Sequence, residues 1–317
     1  MLDAHQLNVF LVAAEALSFT QAAKRLHMTQ PSVSQHIQSL ESQFGMPLFI
    51  RSGRNLILTD GGQALMSLAR EAVALSQRIE ETMESLKGQI HGHLVVGCST
   101  TPGKYIFPQI LAKFHELYPF VRTTCQVNSQ PETIKKIVSG ETHFALFSIP
   151  IEGNPDLEIR HFMCDPIVLI VPLDHPWAQR DELYPVELKD ANFIMPEMTS
   201  GTYAAVDEAL AQHNIAMKDL DVPIILGNAE AIALAVQEGL GIGFISQMVV
   251  DRFCSAKVAM VPVKGMDICR NIYISRSNRR PPTAAQSAFW EFLIQGKHQL
   301  FSLSNSLNKP VLLEGQK

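Results

Sequence analysis

The 317-residue chain predicts an α/β protein with an N-terminal winged helix-turn-helix. Three observations predict it. Residues 2–59 hold three capped helical segments followed by a Gly-turned hairpin. Residues 60–86 carry a heptad-like apolar stripe. From residue 93 short apolar strands alternate with amphipathic helices, the pattern of an α/β fold.

In the first region, Leu7, Phe10, Leu11, Ala14 and Leu17 form one helical stripe over residues 4–17. Ser18-Phe-Thr-Gln21 has the form of a capping box and opens a short second helix. Its Ala22, Ala23 and Leu26 form a small buried side that lets another helix approach. A break follows at His27-Met28. Thr29 is a good N-cap, and Pro31 falls in a first turn, where its missing N–H costs little. The third helix runs to Phe44 on the stripe Val33, Ile37, Leu40 and Phe44, and Gly45 ends it. Residues 47–51 and 56–58 flank a Gly-containing turn and read as a hairpin.

Thr59 caps a long helix to Leu86. Leu65, Leu68, Ala72, Leu75, Ile79, Met83 and Leu86 recur at steps of three and four. Such a stripe, roughly 40 Å long at 1.5 Å per residue, outruns a domain this small and predicts a partner helix from a second copy. Gly88 and Gly92 mark a hinge. Beyond it, strands are expected at 94–97, 121–127, 143–147, 167–171, 222–226, 243–245, 258–261 and 268–275. Helices are expected at 102–117, 131–139, 203–213, 229–238 and 284–294. The alternation argues for a largely parallel sheet. Residues 298–317 read as a loosely held tail.

Apolar residues make up 46% and charged residues 18%, which excludes disorder as the main state. No apolar run approaches the roughly 20 residues of a membrane span. The N-terminus Met-Leu-Asp-Ala-His-Gln-Leu lacks the basic and apolar regions of a signal peptide, so the expected location is the cytoplasm. Five cysteines fall at 98, 125, 164, 254 and 269. Their odd number, long spacings and lack of Cys-x-x-Cys predict buried free thiols rather than disulfides or zinc. The net charge is −5. Over residues 1–58, Lys24, Arg25, Arg51 and Arg54 against Asp3, Glu15 and Glu41 give +1, so the remainder is −6. Bulk charge excludes a protein coated by nucleic acid but not a small domain that touches it.

The third helix has what a recognition helix needs, an apolar back and short polar side chains in front. Gln35 and Gln38 suit bidentate contacts to adenine. Ser32, Ser34, Ser39 and His36 suit bases or phosphates. Thr29, Gln30 and Ser32 surround free helix N–H groups that suit a phosphate. Arg51 and Arg54 sit on the hairpin for backbone or minor-groove contact. A polar solvated face would explain the helix alone, but not the ordered series of elements around it.

Residues 2–59 resemble the DNA-binding domain of LysR-type transcriptional regulators. The resemblance is carried by Phe10, Ala14, Ser18-Phe-Thr-Gln-Ala-Ala23, Leu26, Thr29-Gln-Pro-Ser-Val-Ser34, Ile37, Leu40-Glu41, Gly45-Met-Pro-Leu-Phe49, Arg51 and Leu58-Thr59. It places the helix-turn-helix at about residues 19–38. Gln35 and Gly61 depart from the commoner Arg and Ala, so no operator sequence is carried over. The resemblance implies double-stranded DNA with an interrupted, A/T-rich dyad as partner, a homodimer that pairs into a homotetramer, contact with RNA polymerase, and no membrane partner.

It also implies that residues 93–297 form an effector-binding domain with the two-lobed fold of periplasmic binding proteins. Lobe I would then comprise 93–164 and 268–297, and lobe II 165–267, with a small molecule in the cleft between them. Residues 60–92 would be the dimerisation helix and hinge. Candidate effector residues stand where strands end and helices begin: Thr100, Thr101, Asn128, Ser129, Ser148, Thr199, Ser200, Thr202 and Asn228. Helix N-termini with hydroxyls favour an anion or carboxylate co-inducer. The same residue types are ordinary N-caps, and the two roles are compatible. No Arg falls at these positions, which argues against a dianionic or bulky phosphorylated ligand.

Gly239-Leu-Gly241-Ile-Gly243 follows a helix rather than a strand and reads as a helix stop, not a nucleotide loop. His161, Asp165, Asp174 and His175 lack metal spacing. No Gly-x-Ser-x-Gly, His-Glu-x-x-His or P-loop is present. No catalytic residue, metal or cofactor is expected. A solute-binding protein and an enzyme using the cleft are the alternatives. The N-terminal helical module speaks against the first, and the lack of a nucleophile–base pair against the second.

Overall fold

The computed structural model describes residues 2–52, 55–149 and 153–295. The chain forms two compact units that divide between His91 and Gly92.

The first unit packs α1 (Ala4–Ala16), α2 (Phe19–Arg25) and α3 (Gln30–Phe44) around Phe10, Ala13, Ala22, Val33, Ile37, Leu40 and Leu48. Each helix start is capped as its sequence dictates. Asp3 accepts from the His5 amide, Ser18 from Gln21 and Thr29 from Ser32. His27, in the turn between α2 and α3, takes a left-handed φ of 53°. Strands β1 (Phe49–Ser52) and β2 (Asn55–Leu58) form the hairpin, with Phe49 opposite Leu58. The Glu41 carboxylate accepts from the amides of Leu48 (2.8 Å) and Phe49 (3.2 Å), fastening the hairpin to α3.

Helix α4 (Asp60–Ser85) starts on the Thr59 cap. A Cβ on Gly62 would collide with the Leu48 carbonyl, so glycine permits this close approach. The expected single seam divides along the helix. Leu65, Ala69 and Ala72 pack onto the unit's own core. Leu68, Leu75, Ile79, Met83 and Leu86 are exposed.

In the second unit, β3 (Gly92–Cys98), α5 (Phe107–Leu117), β4 (Val121–Val127), α6 (Gln130–Ser139) and β5 (Phe144–Phe147) form one parallel set in the order β4-β3-β5. A π-helical turn at Pro102–Ile106 leads into α5, because Pro108 has no amide hydrogen for the Lys104 carbonyl. The second set is β7 (Asn192–Met195), α7 (Gly201–Gln212), β8 (Asp221–Ile225), α8 (Ala229–Gln237) and β9 (Ile242–Ser246), ordered β9-β7-β8. Short α9 (Gln247–Val249) and β10 (Val258–Val261) follow, and α10 (Ala284–Gln295) closes the described chain.

The 16-residue β6 (Leu157–Pro172) and β11 (Cys269–Ser277) join the two sets. The first stretch of β6 pairs with β11 as far as Pro166, and β6 pairs with β9 from Ile167 onward. Both partners are antiparallel. The sheet is therefore mixed rather than largely parallel, because each crossover strand runs against its neighbours. The first half of β6 carries Glu158, Arg160 and Asp165, which hid it from apolar patterning. Cross-strand partners neutralise the acids, Arg276 for Glu158 and Arg270 for Asp165.

The expectation of free thiols throughout is corrected. Cys164 and Cys269 form a disulfide, with Cα atoms 5.7 Å apart across 105 residues of sequence. They sit diagonally on the adjacent crossover strands, a proximity that spacing cannot reveal. Cys98, Cys125 and Cys254 are free. Arg54 and the 298–317 segment lie outside the described residues. No helix among the described residues is long and apolar enough to cross a membrane.

Candidate nucleic-acid interface and inter-lobe cleft

Helix α3 buries Val33, Ile37 and Leu40 and turns its opposite face outward. Thr29, Gln30, Gln35, Gln38 and Ser39 are exposed, while Ser32, Ser34 and His36 are half-buried. Gln35 and Gln38 are three residues apart and share that outer face. Two of the expected contact residues also serve α1. Ser39 accepts from Gln6 (3.4 Å), and the His36 ring lies edge-on to His5 with centroids 5.3 Å apart. Thr29 spends its hydroxyl as the cap of α3. Arg51 lies on β1 opposite Leu56.

The second unit has two topological switch points, at β3 and at β7. Each strand's two parallel neighbours are reached by connections running in opposite directions. Crevices beyond the carboxyl ends of such strands are where α/β proteins bind ligands. Thr100 and Thr101 follow β3, Asn128 and Ser129 follow β4, and Ser148 follows β5. Thr199, Ser200 and Thr202 follow β7, and Asn228 follows β8. Part of the set caps helices: Ser200 accepts from the Thr202 amide (3.2 Å) and Asn228 from Ala231 (2.8 Å). Ser129 and Thr199 are exposed, and neither Thr101 nor Ser129 caps with its side chain.

The lobes meet where Ser148 abuts Gly201. A Cβ at 201 would collide with the Ser148 hydroxyl and press on Arg270. An arginine therefore does reach this site, contrary to the sequence expectation. Arg270 comes from crossover strand β11 and is only 5% exposed. Its Nη1 donates to Thr202 Oγ1 (2.9 Å), and its Nη2 is bonded to Asp165 Oδ2. Ser246 donates to the other Asp165 oxygen (2.6 Å). The signal was present in the strand: Arg270 shares the buried phase of β11 with Ile272 and Ile274.

At the rim, Lys104 and Tyr105 from the π-helical turn reach Glu230 in the first turn of α8. Burial opposes ionisation of Glu230. The Lys104 ammonium and its other donors outweigh it and hold the carboxyl below its ordinary value. Burial, and next the charge of Glu230, push the Tyr105 hydroxyl up to about 12. Three buried polar atoms near the strand ends have no partner among the described residues: Ser99 Oγ, Asn128 Nδ2 and Arg270 Nε. The Asn128 carbonyl accepts from Lys136 (3.1 Å). Its amino group is thereby left as a donor. Among the described residues no His, Cys, Asp and Glu cluster has a geometry that could hold a metal ion.

Comparison with known proteins matches both units. The LysR substrate binding domain matches residues 87–297, and the bacterial regulatory helix-turn-helix protein, lysR family, matches residues 4–63. A probable RuBisCO transcriptional regulator of Synechocystis is 32% identical over 287 residues, covering 90% of this chain and 83% of its own. Full-length CbnR, a LysR family transcriptional regulator solved with its target DNA, shares the fold. Its TM-score is 0.68 at 20% identity over 93% of this chain and 99% of that one. The Synechocystis CcmR regulatory domain, solved with 2-PG, has a TM-score of 0.58 at 27% identity over 65% of this chain and 98% of its own. With matching models over both units and a relative aligned over most of its length, the chain belongs to the LysR family, as a DNA-binding transcriptional regulator with an effector-binding domain.

Proposed function

We propose that α3 reads a duplex major groove through Gln35 and Gln38, while a small anionic effector bound between the lobes sets the response. The outward polar face of α3, opposite its buried stripe, carries the first half of this reading. Ser32, Ser34 and Gln30 flank the base contacts. Residues 2–59 form the DNA-binding domain, 60–92 the linker, and 93–297 the effector-binding domain. The exposed stripe of α4 makes the homodimer, and dimers pair on the operator. The protein works in the cytoplasm beside its DNA and contacts RNA polymerase when bound there.

The effector half rests on the donors at the strand ends. Thr100, Asn128, Ser148, Thr202 and Arg270 frame the cleft, with Ser99 and Asn128 offering buried donors. All suit a carboxylate or phosphate oxygen, and 2-PG in CcmR is such a ligand in a relative's domain. Closure of the lobes on the anion would change how dimers pair and how far the DNA bends. The reading assigns no catalytic group.

Gln35→Ala should weaken operator binding by about 1–3 kcal/mol and leave nonspecific binding in place. Equal loss on all sequences would make Gln35 a phosphate or folding residue. Thr100→Ala with Thr202→Ala should keep operator binding and lose the response to a panel of small acids that includes 2-PG. An unchanged response would remove the cleft assignment.

A further inference from the structure

The disulfide lies at one particular point of the topology. Strand β6 leaves the first lobe at Pro166/Ile167, and the chain returns to it at Ile268/Cys269. The Ile167 amide donates to the Ile268 carbonyl at that crossing (2.9 Å). Cys164 and Cys269 therefore bracket the second lobe. The loop their bond closes, 105 residues in sequence, is that lobe.

The crossing ribbon has two faces, because neighbouring strand residues point to opposite sides. Asp165 and Arg270 are directly opposite in register and buried. Their chain neighbours Cys164 and Cys269 are both exposed. One face thus carries the ion pair that holds Thr202 at the start of α7, and the other carries the covalent bridge. Cys98 and Cys254 are buried and Cys125 is half-buried, so the exposed bridge is the most accessible sulfur chemistry among the described residues.

We propose that the Cys164–Cys269 bond is a redox-sensitive staple that sets how freely the lobes move about their crossing strands. Exposed disulfides in proteins that share a compartment with reducing thiols are typically transient and regulatory. The reductant is a small or protein dithiol. One of its thiolates attacks a bridge sulfur, releasing the other cysteine as thiolate and forming a mixed disulfide. Its second thiol resolves that link and leaves with the two sulfurs joined. Two electrons and two protons pass to the protein, which ends with two thiols, while the dithiol ends as a disulfide. The ribbon then keeps its hydrogen bonds but loses its covalent tie. Any motion that opens the Arg270–Thr202 contact becomes easier.

The test equilibrates the full-length protein in dithiothreitol buffers from fully reduced to fully oxidised. Alkylation with peptide mass spectrometry follows the Cys164–Cys269 link, and amide hydrogen exchange follows motion. The expected result is a reversible two-electron transition within the series. Reduction should speed exchange about tenfold at residues 165–170, 268–271 and the first turn of α7. Cys164→Ser with Cys269→Ser should reproduce the reduced pattern in every buffer. A link that never forms, one that resists every buffer, or equal exchange in both states would overturn the staple. A functional arm, resting on the regulator reading, compares genomic fragments retained by the oxidised and reduced protein. A change of about fivefold in retention of specific fragments is expected. Equal specific retention would overturn the regulatory role. Retention of nothing in either state would count against the regulator reading, while the exchange arm still decides the staple.

Discussion

Lys104 and Glu230 stand 126 positions apart in the chain, yet Nζ and Oε1 are 2.9 Å apart across the rim of the cleft. Tyr105 donates to the same oxygen (3.1 Å). The Lys104 side chain is 47% exposed and that of Glu230 17%, so solvent screens part of the attraction. The contact stabilises the packing of the Pro102–Ile106 turn on α8 by about 0.5–1 kcal/mol. Glu230→Gln should therefore speed amide exchange at the start of α8 and in the Pro102–Ile106 turn by about two- to fivefold. Adding Lys104→Met should change little more, because the partners share one interaction. Full additivity of the two effects would show that they do not act as a pair.

The buried crossing pair differs in kind. Asp165 is fully buried and Arg270 nearly so. Arg270→Met would leave an uncompensated buried carboxylate and should cost about 3–5 kcal/mol in urea unfolding of the second unit. Replacing both, with Asp165→Leu and Arg270→Met, should recover much of that loss. A double variant as unstable as the single one would mean that Thr202 and Ser246, not charge, dominate the site.

Glu41 supplies a third check. Its one oxygen receives two hairpin amides, Leu48 and Phe49. Glu41→Ala leaves both without that acceptor and should destabilise the first unit by about 1–3 kcal/mol. Circular dichroism melting of the full chain reads this as an earlier transition of the N-terminal unit. Unchanged melting would show that water replaces the carboxylate at no cost.

His143 makes the fold sensitive to acid. Its Nδ1 accepts from the Val95 amide (3.2 Å), which requires the neutral ring. Burial, with help from the charge of His93, lowers its pKa from 6.5 to about 4. Between those values the unfolded chain binds a proton at His143 and the folded chain does not. Its contribution is present above pH 6.5 and is lost as pH falls towards 4, a change of about 2–3 kcal/mol. Urea unfolding of the second unit at pH 7 and pH 4.5 measures it. His143→Gln should flatten that part of the pH dependence, and an unchanged slope would place the acid sensitivity elsewhere.

Much of this was legible in the sequence because it is local. The caps Ser18, Thr29 and Thr59, the Gly45 stop and the buried stripe of α3 each depend on residues within a turn or two. Strands β4 and β10 match their expected limits because their ends carry turn signals. What escaped was non-local. The first half of β6 reads as loop until Arg276 and Arg270 neutralise its acids. Strand β7 is four residues long and ends against Pro196, too short for periodicity to register. Arg270 and the Cys164–Cys269 bridge are created by pairing β6 with β11 across the whole second lobe. At the strand ends of the second unit, sequence singled out hydroxyl and amide side chains as candidates but offered neither Arg270 nor the Lys104–Glu230 contact.

Sequence-specific DNA binding through α3 is tested most directly by incubating the protein with fragmented genomic DNA from its source at moderate salt and sequencing what is retained. A few strongly enriched sites sharing an interrupted dyad are expected, lost when Gln35 and Gln38 are both replaced by Ala. Uniform retention of all fragments, or enrichment that survives that double replacement, would contradict sequence-specific binding through α3.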